Sequence, residues 1–446
     1  MNKLFITNAK LINEGSISEV DVLVVDERIE KIGAGLPVPE RATVIDADGR
    51  YLMPGMIDDQ VHFREPGLTN KGDLATESAA AAAGGITSFM DMPNVNPQTT
   101  TREELAAKYE LAAGRCPSNY GFYLGATNRN IEEIRALKVD EACGIKAFMG
   151  ASTGDMLVDD PDALELLFRD APVLVVTHCE HSPTIQDNEA RAKAKFGEDV
   201  PMTEHPAIRS AQACLTSSAL AIDLARRHDA LLQVLHLTTA VEMPQFSKAP
   251  LAEKRITAEV CVHHLWFDES RYDELGGRIK CNPAIKAASD REALIAALKD
   301  GRIDVIATDH APHTASEKAR TYFKCPAGLP LVQHAVLVLF DLVQRGELPL
   351  ELVISKATHA AADIYGVIDR GYVREGYYAD LVIVDPDRPY TVDASNLLAK
   401  CHWSPFEGHT FSASIDTTIV NGTIVYRDGK LTGALPGQRL HFNRAR

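Results

Sequence analysis

Eight short apolar segments, most of them separated by helical patterns, constrain the fold of this chain more than any other feature. In chain order they read IDDQVH, ITSFMDM, YGFYLGA, GIKAFMG, VLVVTHC, LQVLHLT, ITAEVCVHH and VIATDH. Strands that alternate with helices are typical of parallel α/β folds, and eight strand–helix units are the number that closes a (β/α)8 barrel. The pattern therefore predicts a TIM-type barrel over residues 54–372.

The two ends of the chain have a different pattern, which predicts strands. Residues 1–53 contain short alternating segments, and the strand pattern returns from about residue 373 in ADLVIVDP and SASIDTTIVNGTIVYRDGK. Asn421-Gly422 within the last segment is a typical hairpin turn. Because each end is short for an independent core, we predict that residues 1–53 and 373–446 together form one small β-sandwich beside the barrel. Two independent β-domains are the alternative.

Charge and cysteine content limit the classes of protein to consider. The 446-residue chain has a formal net charge of −16, which argues against nonspecific nucleic-acid binding because that requires a positive surface. Its eight cysteines include no CxxC pair, which predicts buried free thiols in a reducing compartment. We find no signal-peptide core and no apolar run long enough to span a membrane, so we expect a soluble, cytoplasmic protein without a membrane partner.

Five predicted barrel strands carry an ionisable or imidazole side chain at or near their C-terminal ends. These residues are His62, Lys146, His178, His236 and Asp309. Barrel enzymes place their catalytic groups at this end of the strands. A single strand histidine is usually explained by packing. Five such groups in the same relative position favour a functional site, because a buried lysine or aspartate is costly unless it is paired or binds a metal.

Three imidazoles, one carboxylate and one lysine suit a divalent metal centre, with Zn²⁺ favoured. An ammonium group is a poor ligand, but burial and a nearby metal would lower the pKa of Lys146. Its amine could then take up carbon dioxide, and the resulting carbamate could bridge two cations. A centre of two divalent ions, the carbamate, Asp309 and a hydroxide keeps a positive charge, which attracts an anionic substrate and lowers the pKa of bound water.

Several motifs carry a resemblance to a known family. They are DDQVHFREPG, AAAAAGGITSFMDMPN, GIKAFMGASTG, VTHCEH, LHLTT and ATDHAPH. Through them, and over nearly its whole length, the chain resembles the dihydroorotases of the cyclic amidohydrolase superfamily. The resemblance implies a (β/α)8 barrel with a flanking β-sandwich, a centre of one or two metals that is often zinc, and a possible homodimer.

The resemblance also implies roles for individual residues. Five positions match the metal ligands of the family, namely His62, Lys146, His178, His236 and Asp309. Among them, Lys146 matches the carboxylated lysine of hydantoinase-like members, and Asp309 matches the residue that also shuttles the proton. Four further positions match substrate contacts, namely Arg64, Asn94, Asn282 and His313.

The residues themselves leave simpler explanations open for these substrate contacts. Arg64 lies two residues beyond His62, where its planar guanidinium could clamp a carboxylate with two hydrogen bonds. It could instead form a surface salt bridge with Glu65. Asn94 follows Pro93 and could simply form a turn. Likewise, His313 could be an ordinary loop residue.

Two positions depart from the family's pattern. Gln60 stands where the family has the first histidine of an HxH motif. A glutamine is a neutral, weak oxygen donor, so we expect the metal held mainly by the first strand to bind less tightly. Many single-domain relatives have an aspartate as the bridging ligand where this chain offers Lys146. That lysine places the predicted centre nearer the hydantoinase-like type.

The residues and the resemblance together predict a dihydroorotase, which interconverts N-carbamoyl-L-aspartate and L-dihydroorotate in pyrimidine biosynthesis. Another cyclic amidohydrolase is the first alternative: an allantoinase, hydantoinase or dihydropyrimidinase, whose substrates lack the ring carboxylate and give Arg64 no role. The second alternative is a non-catalytic homologue that acts as a scaffold, for instance for a transcarbamoylase. Only Gln60 favours the scaffold, whereas all five predicted ligands argue against it.

Overall fold

The computed structural model describes residues 2–150 and 156–444, so the last four residues of the GIKAFMGASTG motif lie outside it. The N-terminal segment consists of strands, as predicted. They are β1 (Lys3–Asn13), β2 (Ser16–Val25), β3 (Arg28–Gly33), β4 (Thr43–Asp46) and β5 (Tyr51–Pro54). Leu4 and Ile6 of β1 pack with Val22 and Val24 of β2 in one buried core, which reflects the two-residue period of side chains on a strand.

All eight predicted barrel strands are present and run parallel. They are β6 (Met56–Val61), β7 (Ile86–Asp91), β8 (Asn119–Phe122) with β9 (Leu124–Gly125), β10 (Ile145–Phe148), β11 (Val175–His178), β12 (Leu232–Val234), β13 (Ile256–Cys261) and β14 (Val305–Ala307). The third strand is interrupted at Tyr123, so that β8 and β9 are its two parts. A parallel bridge between Val61 and His310 joins the first strand to the last. The predicted barrel is thereby confirmed.

The C-terminal segment adds the remaining strands. They are β15 (Leu381–Asp385), β16 (Tyr390–Thr391), β17 (Thr410–Phe411), β18 (Ser414–Val420), β19 (Thr423–Arg427) and β20 (Lys430–Leu431). Strand β15 pairs with β5, so both chain ends contribute to one nine-stranded sheet. Asn421 and Gly422 have φ angles of 48° and 70°, as a tight hairpin between β18 and β19 requires. The exact domain boundaries stay a prediction.

Helices fill the connections between the barrel strands. They are α1 (Leu74–Ala83), α2 (Arg102–Ala112), α3 (Ile131–Ala136), α4 (Pro161–Asp170), α5 (Ser182–Phe196), α6 (His205–Ile208), α7 (Ala211–His228), α8 (Val262–Trp266), α9 (Tyr272–Leu275), α10 (Ala288–Lys299), α11 (Ala315–Lys318), α12 (Ala335–Gln344), α13 (Leu350–Ile354) and α14 (Ala360–Tyr365). Long helical patterns of the sequence, such as REELAAKYELAAG and SAQACLTSSALAIDLARRH, lie on α2 and α7. The sequence did not reveal α5, because only Ile185 and Ala192 of its residues are buried and it has no apolar stripe.

Two further observations bear on expectations from composition. All eight cysteines fall within the described part of the chain, and all are buried and free of disulfides, as predicted. Among the described residues, no helix combines the length and the apolar character that crossing a membrane requires.

His334, which precedes α12, generates a prediction about acid stability. Its ring packs 5.9 Å from Phe406 and 6.0 Å from Phe411, measured between ring centroids, and burial lowers its pKa to about 3. In the unfolded chain a histidine titrates near pH 6.5, at about the unperturbed pKa. Below that pH the unfolded state therefore binds more protons than the folded state, and the free energy of unfolding falls as the pH falls towards 3.

We expect His334→Phe to remove this part of the acid sensitivity, because a phenyl ring keeps the aromatic packing and does not titrate. In the wild-type chain, the move from pH 7 to pH 5 costs about 2 kcal/mol through this one residue. Urea unfolding at both pH values measures the difference for each protein. An identical pH dependence of wild type and variant would contradict the assignment.

Candidate metal centre and active site

The carboxyl ends of the barrel strands surround a cavity of about 230 Å³. The structure brings all nine predicted site residues to its walls, and Gln60 lies beside them. The nine are His62, Arg64, Asn94, Lys146, His178, His236, Asn282, Asp309 and His313. They come from distant parts of the sequence and meet because parallel strands end at the same rim of a barrel.

Three of these residues have an unusual backbone conformation. The φ angles of Arg64, His236 and Asp309 are 71°, 38° and 51°, a region that residues other than glycine seldom adopt. Each such residue costs about 1–3 kcal/mol and persists only where its surroundings fix it. At His236 the backbone N–H donates to Glu259 Oε1 at 3.0 Å. Strain of this kind concentrates at functional sites, which agrees with the position of all three residues at the cavity.

His178 and His236 form the first group of potential metal ligands. The Nδ1 atom of His178 lies 3.0 Å from the Nε2 atom of His236. Burial lowers the pKa of both imidazoles, and it does so strongly for His236. Both rings are therefore neutral near pH 7, which is the form that binds metals. Two neutral ring nitrogens that face each other are suited to share one cation.

Glu180 and Arg209 hold the first of these imidazoles. Glu180 Oε2 lies 3.0 Å from His178 Nε2 and 2.8 Å from an Arg209 nitrogen. Burial alone would raise the pKa of Glu180, but Arg209 and His178 hold it well below its usual range. The ionised carboxylate accepts the Nε2 hydrogen of His178 and leaves the Nδ1 lone pair for a metal. Sequence reasoning missed this support, although Glu180 lies within the VTHCEH motif.

Lys146 lies beside this pair on β10, next to the strand of His178. Its side chain is fully buried, and Nζ lies 4.6 Å from the centre of the Phe148 ring. Burial lowers the pKa of Lys146 to about 8, although Asp309 and Glu259 oppose the shift. An appreciable fraction of the amine is therefore uncharged near neutral pH. Such an amine is nucleophilic, and it is the form that reacts with carbon dioxide.

His62 and Asp309 form the second group of potential ligands. His62 Nε2 lies 3.1 Å from Asp309 Oδ1, and His62 Nδ1 lies 2.7 Å from Asn94 Oδ1. If His62 Nδ1 donates to Asn94, the Nε2 atom of a neutral ring presents a lone pair to the carboxylate. Two acceptors at this distance need a proton or a metal ion between them. Burial would raise the pKa of Asp309, but the contact with His62 keeps it below the ordinary value.

Gln60 contacts the same carboxylate. Its Nε2 atom donates to Asp309 Oδ1 at 3.1 Å, and its Oε1 atom lies 4.0 Å from the Cys261 sulfur. From the sequence we expected Gln60 to offer a weak oxygen ligand. In the structure the amide nitrogen faces the site instead, because an ionised carboxylate requires a donor as its neighbour.

Arg64 is a buried cation on the wall of the cavity. Its Nε atom donates to Pro312 O at 3.1 Å, and burial lowers its pKa only to about 10, so it stays charged. Within residues 2–150 and 156–444 it makes no ion pair with a carboxylate. The alternative pairing with Glu65 is wrong, because Glu65 binds Arg115 at 3.1 Å. The cavity wall therefore carries a positive group that is available to pair with an anion.

His313 and Lys71 orient this group. Lys71 Nζ lies 3.1 Å from His313 Nδ1 and can only donate, so the ring hydrogen of His313 lies on Nε2. That hydrogen is donated to Ala327 O at 2.9 Å. The Arg64 nitrogen 3.1 Å from the same Nε2 atom therefore finds no acceptor there and keeps its hydrogen for a ligand. Lys71 gave no signal in the sequence, because nothing local shows that it reaches His313.

The remaining wall includes Asn282, as predicted. It also includes a loop of Pro326, Ala327 and Gly328, which the sequence did not reveal. Gly328 has a φ angle of 138°, and a Cβ atom there would lie 2.4 Å from Ala311 O. Only glycine permits this close approach. The loop is thereby held against the cavity.

The chain matches a known family over most of its length. The model of the amidohydrolase family matches residues 51–425. The chain is 35% identical to a dihydroorotase of Halobacterium salinarum over 433 residues, 94% of this chain and 96% of that protein. It is 31% identical to an allantoinase of Bacillus velezensis over 440 residues, 97% of this chain and 96% of that protein.

Among solved structures, the L-hydantoinase (dihydropyrimidinase) of Arthrobacter aurescens superimposes with a TM-score of 0.93 at 27% identity, covering 99% of this chain and 100% of that one. The dihydropyrimidinase of Brevibacillus agri superimposes with a TM-score of 0.90 at 25% identity, with coverages of 99% and 100%. Because the family model matches most of the chain and two dihydroorotases are 35% and 33% identical to it over more than nine-tenths of its length, the chain belongs to the amidohydrolase family and is a metal-dependent cyclic amidohydrolase.

Proposed function

We propose that this protein is a dihydroorotase, which hydrolyses the ring amide of L-dihydroorotate to N-carbamoyl-L-aspartate and also closes the ring. One observation carries the choice among cyclic amides. Arg64 is a buried guanidinium on the cavity wall without an ion pair among the described residues. A buried unpaired charge is costly, and the carboxylate of dihydroorotate would supply its partner.

Arg64 and Asn94 would hold this carboxylate together. The planar guanidinium can donate two parallel hydrogen bonds to the two oxygens. The Asn94 oxygen is engaged by His62 at 2.7 Å, so its NH2 group is available to the substrate. Asn282 and His313 line the same cavity and would complete the contacts. Fixing the carboxylate orients the ring and places the amide carbonyl among the imidazoles.

We further propose that His178, His236 and Lys146 hold one Zn²⁺ ion, and that His62 and Asp309 contribute to a second position. When bound, zinc supplies electrophilic polarisation of the carbonyl and a lower pKa of the attacking water. Asp309 acts as the base. Its Oδ1 atom is engaged by His62 and Gln60, so Oδ2 can take the proton of the water and deliver it to the leaving nitrogen.

Lys146 would act as a carbamate. The neutral amine forms an N–C bond to carbon dioxide and loses one proton, which leaves a carboxylate at the end of a long side chain. The lowered pKa of Lys146, about 8, makes the neutral amine accessible, and the anion would remove the cost of a buried ammonium beside a metal. Such an anion can bridge two cations.

Hydrolysis of an uncharged ring is the alternative function. The similarity to the Bacillus velezensis allantoinase over nearly the whole chain and to the hydantoinase structures favours it. Allantoin and hydantoin have no ring carboxylate, however, and would leave Arg64 without a close ion pair among the residues that the structure describes. The geometry therefore favours dihydroorotate.

We expect Arg64→Ala to raise the KM for dihydroorotate by at least about 30-fold, because truncating one partner of a buried charge pair costs roughly 2–5 kcal/mol. Arg64→Lys keeps the charge but loses the two parallel hydrogen bonds, so its KM should be intermediate. Steady-state assays with dihydroorotate, allantoin and hydantoin measure both effects. An unchanged KM, or turnover of the uncharged rings alone, would exclude the proposed substrate.

The Lys146 carbamate is tested separately. Native mass spectrometry should find the chain heavier by one carbon dioxide, and acid denaturation should remove that mass. Lys146→Ala should lose zinc and activity, and a small carboxylic acid such as propionate should restore part of both by occupying the space of the missing group. A native mass without added carbon dioxide would refute the modification.

Glu180→Gln should weaken zinc binding by roughly 10- to 100-fold, the usual effect of losing a carboxylate that orients a ligating histidine. Competition with a chromogenic chelator measures the affinity. Asp187→Asn is the matched control, since Asp187 is an exposed carboxylate on α5. Equal affinities in the two variants would argue against His178 as a ligand.

A further inference from the structure

We propose that the two metal positions of this centre are unequal, with one tightly bound ion at His178 and His236 and one exchangeable ion at His62 and Asp309. Gln60 is the residue that sets the difference. This inference rests on the proposed metal centre and deepens it, because it assigns a separate affinity to each position.

The first position has two imidazole donors. His178 Nδ1 and His236 Nε2 face each other at 3.0 Å, and Lys146 is buried beside them. Glu180, itself paired with Arg209 at 2.8 Å, fixes His178 with the free lone pair turned inward. Two oriented imidazoles, together with the proposed carbamate of Lys146, form a donor set typical of a tightly bound zinc ion.

The second position has one imidazole where the first has two. His62 Nε2 and Asp309 Oδ1 face each other at 3.1 Å, but the third side chain at this point presents an N–H group. Gln60 Nε2 donates to Asp309 Oδ1 at 3.1 Å. An amide N–H cannot coordinate a cation, so in this orientation Gln60 contributes no ligand.

Rotating the Gln60 amide by 180° would not give the second position a strong metal ligand. The oxygen could then face a cation, but the hydrogen bond to the Asp309 carboxylate would be lost, and the amide oxygen would oppose that carboxylate. A neutral amide oxygen is also a poor zinc ligand compared with imidazole. Either orientation therefore weakens this position, whereas the donors at His178 and His236 are unaffected.

Gln60 has a second consequence, as a positioning residue. Its N–H group donates to Oδ1 of Asp309, a hydrogen bond that holds the carboxylate even when the second position holds no cation. The orientation of the base thus does not depend on the weaker ion. A chain with one tightly held zinc can keep Asp309 oriented for proton transfer.

Zinc content after exposure to a chelator tests the proposal. The purified full-length protein is loaded with excess ZnCl2, dialysed against pyridine-2,6-dicarboxylate, and its zinc per chain is measured by atomic emission. We expect one zinc to remain and a second to return only in excess ZnCl2. Two zinc ions retained with equal resistance by the wild-type chain would overturn the proposal without any variant.

Variants at Gln60 identify the cause. In Gln60→His an imidazole nitrogen reaches about as far from the backbone as the glutamine nitrogen, so the second zinc should bind at least about tenfold more tightly and survive dialysis. Gln60→Ala removes the contact with Asp309 without adding a ligand, so it should still retain one zinc. Failure of a folded Gln60→His variant to retain more zinc than Gln60→Ala would overturn the role of Gln60.

Variants of the histidines locate the two ions. His62→Asn should abolish the exchangeable zinc and keep the retained one, whereas His178→Asn should lose the retained one. Cys261→Ser is the control for a different location of the second zinc. The Cys261 sulfur lies 4.0 Å from Gln60 Oε1. Cys261 also forms a buried group with His263 and His264, whose donor atoms lie within 4.8 Å of one another. Loss of the exchangeable zinc in Cys261→Ser but not in His62→Asn would show that this ion does not bind at His62 and Asp309.

These zinc counts need no substrate, which separates this inference from the proposed activity. If the protein retains one zinc but hydrolyses only uncharged rings, the proposed substrate is wrong and the inequality stands. If it hydrolyses dihydroorotate but retains two zinc ions equally, the inequality is wrong and the substrate stands.

Discussion

The site depends on the closure of the barrel between its first and last strands. Val61 and His310 form the bridge across this seam, and the His62 backbone N–H donates to His310 O at 2.7 Å. Beneath it the buried Asp58 carboxylate accepts hydrogen bonds from the Thr308 hydroxyl and backbone N–H. Burial raises the pKa of Asp58 to about 8, so at neutral pH much of it is a neutral acid. This seam brings His62 and Asp309, which lie far apart in the sequence, within 3.1 Å.

A chain with a net charge of −16 has a cavity whose chemistry favours anions. Burial explains this contrast, because it acts on each group separately. It keeps His178 and His236 neutral and makes the Lys146 amine partly neutral, yet Arg64 remains charged. In the proposed centre, cations would bind at the ring nitrogens, Lys146 and Asp309, and an anion would bind at Arg64. This separation suits a reaction in which a metal activates the amide while a carboxylate is held a short distance away.

Much of the site could be predicted from the sequence because it lies at strand ends. Apolar periodicity located the eight strands, and the residue that follows each strand in a parallel barrel must face the common rim. Asn421-Gly422 fixed its hairpin through local backbone preferences alone. The polar helix α5 escaped notice because periodicity reveals an element only when it buries one face. Lys71, Glu180 and Arg209 escaped for another reason, since their contacts join segments that no local pattern links.

The sequence by itself therefore determined the barrel, the chemical types gathered at its rim and the departure from the HxH pattern at Gln60. These depend on periodicity and on residue identity, which are properties of the chain. Only the tertiary structure decided that Glu65 pairs with Arg115 and not with Arg64, and that the Gln60 amide turns its nitrogen towards Asp309. Which partner a buried polar group finds depends on distances between remote segments, and these exist only once the barrel has closed.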